Sequence, residues 1–287
     1  MRLWSWWLST SSRETDPLPL ALVRIGIAVV IAGDLLRGAW LGLVPWLWRP
    51  FSHGGLSTFQ SPYAIIDNIA PLSGGPALVV VTIVAMAFVA AGVLTRPAML
   101  VGLLAYSQLG HLYPPGDRAV DRLMRTGLLI LLFSGSHLRL SLQRRLQGKP
   151  PVTAIPAWPA DMMVFILVLV YLSAGIHKLG SSMSWVSFSG RPMLHRILTN
   201  PLAARVPRDL ADQGMGLLHF LGFSTVALEC SAVLLLTRLR PWWALGGVGL
   251  HLGIAATMNL GAFSFGMLAF YPLLFSAWLA GRQYKKT

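Results

Sequence analysis

The stretch "VYLSAGIHKLGSSMSW" (residues 170–185) carries an apolar run into His177 and Lys178, then into small residues and a tryptophan. An imidazole and an ammonium stand side by side at the end of a segment suited to oil. What surrounds the chain decides their purpose. The apolar run reaches back to about residue 159, close to the ~20 residues that a helix needs to cross ~30 Å of hydrocarbon.

The rest of the chain has the same character. Of its 287 residues, 55% are hydrophobic and 11% charged, whereas soluble domains carry about 25% charge. This profile predicts an all-α polytopic integral membrane protein. About eight spans are predicted, near 18–41, 76–94, 97–112, 120–137, 159–179, 215–236, 241–259 and 263–281. The runs are long and continuously apolar, unlike the alternating strands of a membrane barrel. The one cysteine, Cys230, lies in an apolar run and supports neither an internal disulfide nor a cysteine-rich metal site. The N-terminus lacks a long apolar core and does not read as a signal peptide. Trp4, Trp6 and Trp7 mark residues 1–17 as an interfacial segment on the lipid bilayer.

The net charge is +13, from 23 Lys and Arg against 10 Asp and Glu. Membrane topology accounts for that excess better than nucleic acid, since the cations fall largely between apolar runs. With a cytoplasmic N-terminus, the inner loops hold Arg96, then Arg139, Arg144, Arg145 and Lys149, then Arg238 and Arg240. The cytoplasmic tail adds Arg282, Lys285 and Lys286. Outside, 49–75 has Arg49 as its only Lys or Arg, 112–120 has Arg118 beside Asp117, and 260–262 has no charge. This positive-inside pattern puts both termini in the cytoplasm and residues 138–158 in a cytoplasmic loop. The outer loop 181–214 departs from it, with Arg191, Arg196, Arg205 and Arg208.

An ionisable group at membrane depth costs several kcal/mol and needs a reason to be there. The predicted topology brings most of them to one outer layer: Asp34 and Arg37, His111, Asp121, Arg122 and Arg125, His177 and Lys178, and His219, with His251 near mid-depth. Arg24 and Glu229 fall toward the inner half and read as structural braces. Asp34–Arg37 and Asp121–Arg125 have the spacing of intrahelical ion pairs. His111 and His219 stand near span ends, where a polar tip reaches water. Lys178 has no carboxylate within one turn on its own helix. It reads either as a snorkelling span-end lysine or as a base whose proton affinity is reduced by desolvation. His251 reads either as a buried neutral histidine or as a site residue.

Five stretches, in this order, resemble the bacterial HTTM (horizontally transferred transmembrane) domain proteins of the vitamin K-dependent gamma-carboxylase superfamily. They are "LVRIGIAVVIAGDLLRG" (22–38), "GVLTRPAMLVGLLAY" (92–106), "DRLMRTGLLILLFSGSHLRLSL" (121–142), "YLSAGIHKLGSSMSW" (171–185) and "HLGIAATMNLGAFSFGMLAFYPLLF" (251–275). The resemblance implies a single domain over 1–287 in a bacterial inner membrane. The carboxylase carries "AG-x-x-K-L…W" at a span end, and Lys178 stands where the family places its proposed base, with His177 in place of another family lysine. The implied activity is deprotonation of a reduced quinone of the vitamin K or menaquinol type, epoxide formation with oxygen, and carboxylation of a peptide glutamate. His177 would tune Lys178. Asp121, Arg122, Arg125, His251, Asp34 and Arg37 would shape the quinone pocket. Asp121 stands where the carboxylase has a functional histidine, and no counterpart of the carboxylase's large lumenal domain is expected within residues 1–287. A similar bare membrane module matures a bacterial peptide toxin, which implies a secreted peptide or an outer partner protein.

No P-loop, Rossmann fingerprint or H-E-x-x-H motif occurs, and no metal or nucleic-acid site is expected. Two further readings stand beside the enzyme: a non-catalytic membrane partner for an exported peptide, and a small transporter. The absence of evident paired repeats weighs against the transporter.

Overall fold

The computed structural model describes residues 13–56, 61–180, 185–186 and 190–281. The tryptophans of the N-terminal segment and the cations of the C-terminal tail lie outside the described residues. The chain is mostly helical and divides into two compact units, Met1–Pro159 and Ala160–Thr287.

In the first unit, α1 spans Leu18–Trp40, α2 Gly74–Ala91, α3 Thr95–Leu112 and α4 Ala119–Leu132. α1 begins where Asp16 accepts a hydrogen bond from the Leu18 amide at 2.8 Å. Its buried Leu20, Val23, Ile27, Ile31 and Leu35 recur every three or four residues and form one face. That face packs against α2 and α4; α3 packs between α2 and α4. The turn from α2 to α3 is tight because Gly92 adopts φ +71°, and a Cβ there would lie 2.7 Å from the Ser141 Cα. A two-residue strand β1, Glu14–Thr15, pairs antiparallel with β2, Ile155–Pro156.

In the second unit, α5 is Trp158–Gly180, counting its first two residues from the other side of the division. α6 is Met215–Cys230, α7 Arg240–Thr257 and α8 Phe263–Leu268. Two short helices, Met193–Leu198 and Arg208–Gln213, occupy the predicted outer loop. Leu194, Leu198, Ala211, Leu218 and Met258 form a core there, with Trp185 packed against it. Backbone hydrogen bonds from Arg205 to Thr257 and from Asn259 to Ala203 tie that loop to the end of α7.

Each predicted apolar segment coincides with a helix, but three are interrupted. The fourth ends at Leu132 before a 3-10 turn at Ser136–Leu138, and the sixth ends at Cys230 before one at Ala232–Leu236. The last breaks into α8, a 3-10 turn at Tyr271–Leu273 and Ser276–Gly281. Pro272 cannot donate a helical hydrogen bond and clashes with the preceding turn. Among the described residues, α1, α2 and α5 are long and apolar enough to cross a membrane. Their outer faces are apolar too: Val80, Val84, Phe165 and Leu169 are exposed. A helix that is apolar all round belongs in lipid or a large core, not at a water surface.

Arg24, fully buried on α1, shows how the first unit accommodates a cation. It donates to the carbonyls of Ser136 at 2.9 Å, Leu140 at 2.6 Å and Arg139 at 3.4 Å. The expected brace is present, and carbonyls at the end of the chain leaving α4 supply it.

Candidate functional site

The Lys178 ammonium sits at the last turn of α5. Gly175, one turn earlier on the same face, lets α5 approach α6. A Cβ at Gly175 would lie 2.8 Å from Cys230 Sγ, 2.9 Å from its amide nitrogen and 3.1 Å from Glu229 Cβ. That close approach brings Lys178 Nζ to 2.6 Å from both oxygens of Glu229. The side chains are 19% and 8% exposed, so each charge lies largely out of water. The indole of Trp185 stands 5.1 Å from Nζ, in the range of a cation–π contact. The spacing of glycine, lysine and tryptophan in residues 175–185 thus has a structural meaning: approach, charge and aromatic cover.

Glu229 is thereby corrected from an inner-half brace to the partner of Lys178. Counting depth from the start of an apolar run fails here because α6 begins beyond the end of α5. Gly222 of α6 lies beside the Trp185 carbonyl, and Glu229 is the residue that draws level with Lys178. His177 is exposed, as adjacent helical positions point about 100° apart.

Two turns before Lys178 on α5, Tyr171 centres a buried polar cluster. Its hydroxyl lies 2.6 Å from His251 Nε2 and 2.8 Å from the Tyr271 hydroxyl. His251 is 1% exposed, with the rings of Tyr171, Phe263 and Tyr271 around it. Its Nδ1 has no hydrogen-bond partner among the described residues. Gly247, one turn before His251, makes room for Tyr271: a Cβ there would collide with the tyrosine hydroxyl. His219 pairs instead with the Gly190 carbonyl at 3.2 Å.

The first unit gathers a separate ionic network. Arg118, at the start of α4, reaches Asp34 of α1 at 2.5 Å and both oxygens of Asp121 at 2.9 Å. Tyr106 of α3 donates to Asp121 at 2.8 Å. Arg125 binds Asp117 at 2.8 Å and stands over the Tyr106 ring, while Arg122 binds Asp117 at 3.0 Å. The predicted pairs Asp34–Arg37 and Asp121–Arg125 are therefore replaced. Arg37 is exposed, and a bidentate Arg118–Asp121 contact offers better geometry than an i,i+4 pair. His111 contacts Ser61 at 3.2 Å and the Tyr63 ring, apart from this network.

Glu229, Trp185, Tyr171, Tyr271, Tyr106, Asp117 and Arg118 were not singled out as site residues by sequence. Gly175, three residues before Lys178, was the available sign of a second helix at that point.

The HTTM domain family model matches residues 12–278 in one stretch across both units. The chain belongs to the HTTM family, a name consistent with the vitamin K-dependent carboxylase-like superfamily. No curated protein and no solved structure matches the chain.

Two outcomes follow from the geometry. Gly175→Val should force α5 from α6 and cost about 1–3 kcal/mol, as overpacking does. Cys230→Ala should restore only part, because the backbone amide remains in the way; unfolding in detergent measures both. In the outer loop, His195 Nε2 lies 2.7 Å from Asp212 Oδ1. That hydrogen bond, with Arg208 and Arg191 nearby, holds the Asp212 carboxyl below its ordinary range. A depressed carboxylate pKa stabilises the fold above the unfolded value, and the contribution is lost as pH falls through the folded one. Amide exchange of Met193–Leu198 and Arg208–Gln213 should accelerate in that acid range, and Asp212→Asn should abolish the dependence.

Proposed function

With membership of the HTTM family as premise, we propose that this chain is a multi-pass membrane enzyme that uses a reduced quinone and oxygen at an outward-facing site, with a secreted peptide as the substrate to be modified. About eight spans and cytoplasmic termini belong to the same reading. The observation that carries it is the Lys178–Glu229 pair under Trp185, in the stretch that resembles the carboxylase's lysine segment.

The pair has a property that a lone lysine lacks. In apolar surroundings two separated charges are costly, and a neutral amine beside a neutral carboxyl carries none. One proton passing from Nζ to Glu229 across 2.6 Å converts the first form into the second. Lys178 then offers a free electron pair while the pair keeps zero net charge. Glu229 is the proton's resting place, and Trp185 keeps water from the ammonium.

The side chains around His251 support a quinol as the cofactor. His251 presents a buried nitrogen without a partner among the described residues, and Tyr171, Tyr271 and Phe263 supply ring faces and hydroxyls. His251 and Tyr171 would hold such a group by hydrogen bonds; when bound, it supplies the electrons that activate oxygen. The Asp34–Arg118–Asp121 network has a positioning role within its own unit, holding α1, α3 and α4 at the start of α4.

The second reading is a non-catalytic membrane partner. It is favoured by the same pair, because a neutralised lysine is also how two helices are braced. Removing one partner of a buried pair costs about 3–5 kcal/mol, while replacing both with apolar residues is often neutral or stabilising. Lys178→Met and Glu229→Leu should therefore each destabilise the protein, and the double variant should recover its stability. On the enzyme reading, the refolded double variant consumes no reduced quinone although wild type does. Retained consumption in the double variant would overturn Lys178 as the base.

A further inference from the structure

We infer that the second unit holds a binding site for an anionic phospholipid, with the acyl chain between α6 and α7 and the headgroup on the arginines of the outer loop. A chamber of about 540 Å³ lies there, roofed by the helices Met193–Leu198 and Arg208–Gln213. Its wall is almost wholly apolar. Gly246, Gly249 and Gly253 line it from one face of α7. A Cβ at Gly249 or Gly253 would meet nothing within 4 Å, so these glycines widen the chamber instead of admitting another helix. The volume falls within the range of ligand sites, about 300–1,000 Å³.

Its surroundings identify the occupant. Leu202, Leu210, Leu217 and Phe220 are 84%, 61%, 61% and 62% exposed. Large apolar side chains displayed around an apolar chamber suit a mouth that opens to lipid. The roof is cationic. Arg196 lies between the lining residues Leu194 and Leu198, Arg205 precedes Val206, and Arg208 lies between Val206 and Leu210. All three arginines are exposed. Arg208 makes a long 3.7 Å contact with Asp212, which also takes His195, and Arg205 donates to the Ala255 carbonyl at 2.8 Å; the exposed Arg196 and the remaining guanidinium donors face outward.

These arginines are three of the four cations that break the charge rule. In the predicted topology the other outer loops hold at most one arginine each, whereas loop 181–214 holds four arginines against two aspartates. An anionic headgroup gives that excess a physical reason, since cations near a membrane surface are attracted to anionic lipid. An apolar peptide would use the chamber but leave the arginines unexplained. The inference stands independently of the chemistry at Lys178.

The test uses the full chain in phosphatidylcholine vesicles that contain a minor share of phosphatidylglycerol. The phosphatidylglycerol, or in parallel the phosphatidylcholine, carries a photoactivatable group at its chain end, and labelled peptides are mapped by mass spectrometry. Phosphatidylglycerol should label Leu218–Leu228 and Gly246–Ile254 more than phosphatidylcholine does. Gly249→Phe, which fills open space, should abolish that labelling while the helical content is unchanged. Arg196→Gln with Arg208→Gln should reduce phosphatidylglycerol labelling to the phosphatidylcholine level. Labelling that is indifferent to headgroup, or that persists in Gly249→Phe and matches the exposed face of α2, would overturn the inference.

Discussion

A charge enclosed by apolar helices must be answered at once, by an opposite charge or by several hydrogen bonds. That constraint organises this molecule. Arg24 is answered by carbonyls at the end of the chain leaving α4. Arg118 is answered by two aspartates from different helices, one of which also takes the Tyr106 hydroxyl. Lys178 is answered by Glu229. Each solution joins segments distant in sequence, so the same contacts that neutralise the charges also fix which helices meet.

The sequence foretold the elements better than their partnerships. The run read as 159–179 is the helix Trp158–Gly180, and the run read as 18–41 is Leu18–Trp40; apolar length is a local property and survives folding. Partner choice is not local. Asp34 has a cation three residues away, yet it binds Arg118, 84 residues on, because α1 presents Arg37 to the exterior and the residue that caps the start of α4 reaches Asp34. Lys178 has no carboxylate near it on α5, and its partner is 51 residues away on α6. The contact depends on where α6 starts relative to the end of α5, which no hydropathy pattern encodes. Gly175 carried a trace of it, as a small residue on the face that also bears Lys178. The break at Pro272 was legible in principle, since proline in the interior of a helical run removes a hydrogen bond and clashes with the preceding turn; an unbroken apolar run concealed it.

Membership of the HTTM family and the local geometry bear on different questions. The family relates this chain to carboxylase-like membrane proteins. The geometry describes what the lysine segment does physically: a glycine admits α6, a lysine meets its carboxylate, and a tryptophan covers the ammonium. A brace and a proton-transfer site have that construction in common, and they differ in whether the proton leaves the pair. Nearby on the same face of α5, Tyr171 and His251 form a polar cluster that neither side of the ion pair requires. It is the feature on which the proposed quinol site rests.

The most direct measurement gives wild-type protein in lipid nanodiscs reduced menaquinone and isotopically labelled oxygen, with mass spectrometry of the quinone pool. The account predicts a menaquinone epoxide that carries the label and forms only with the protein present. Folded protein that binds the reduced quinone and returns it unchanged would contradict it, and would leave Lys178 and Glu229 as the brace between α5 and α6.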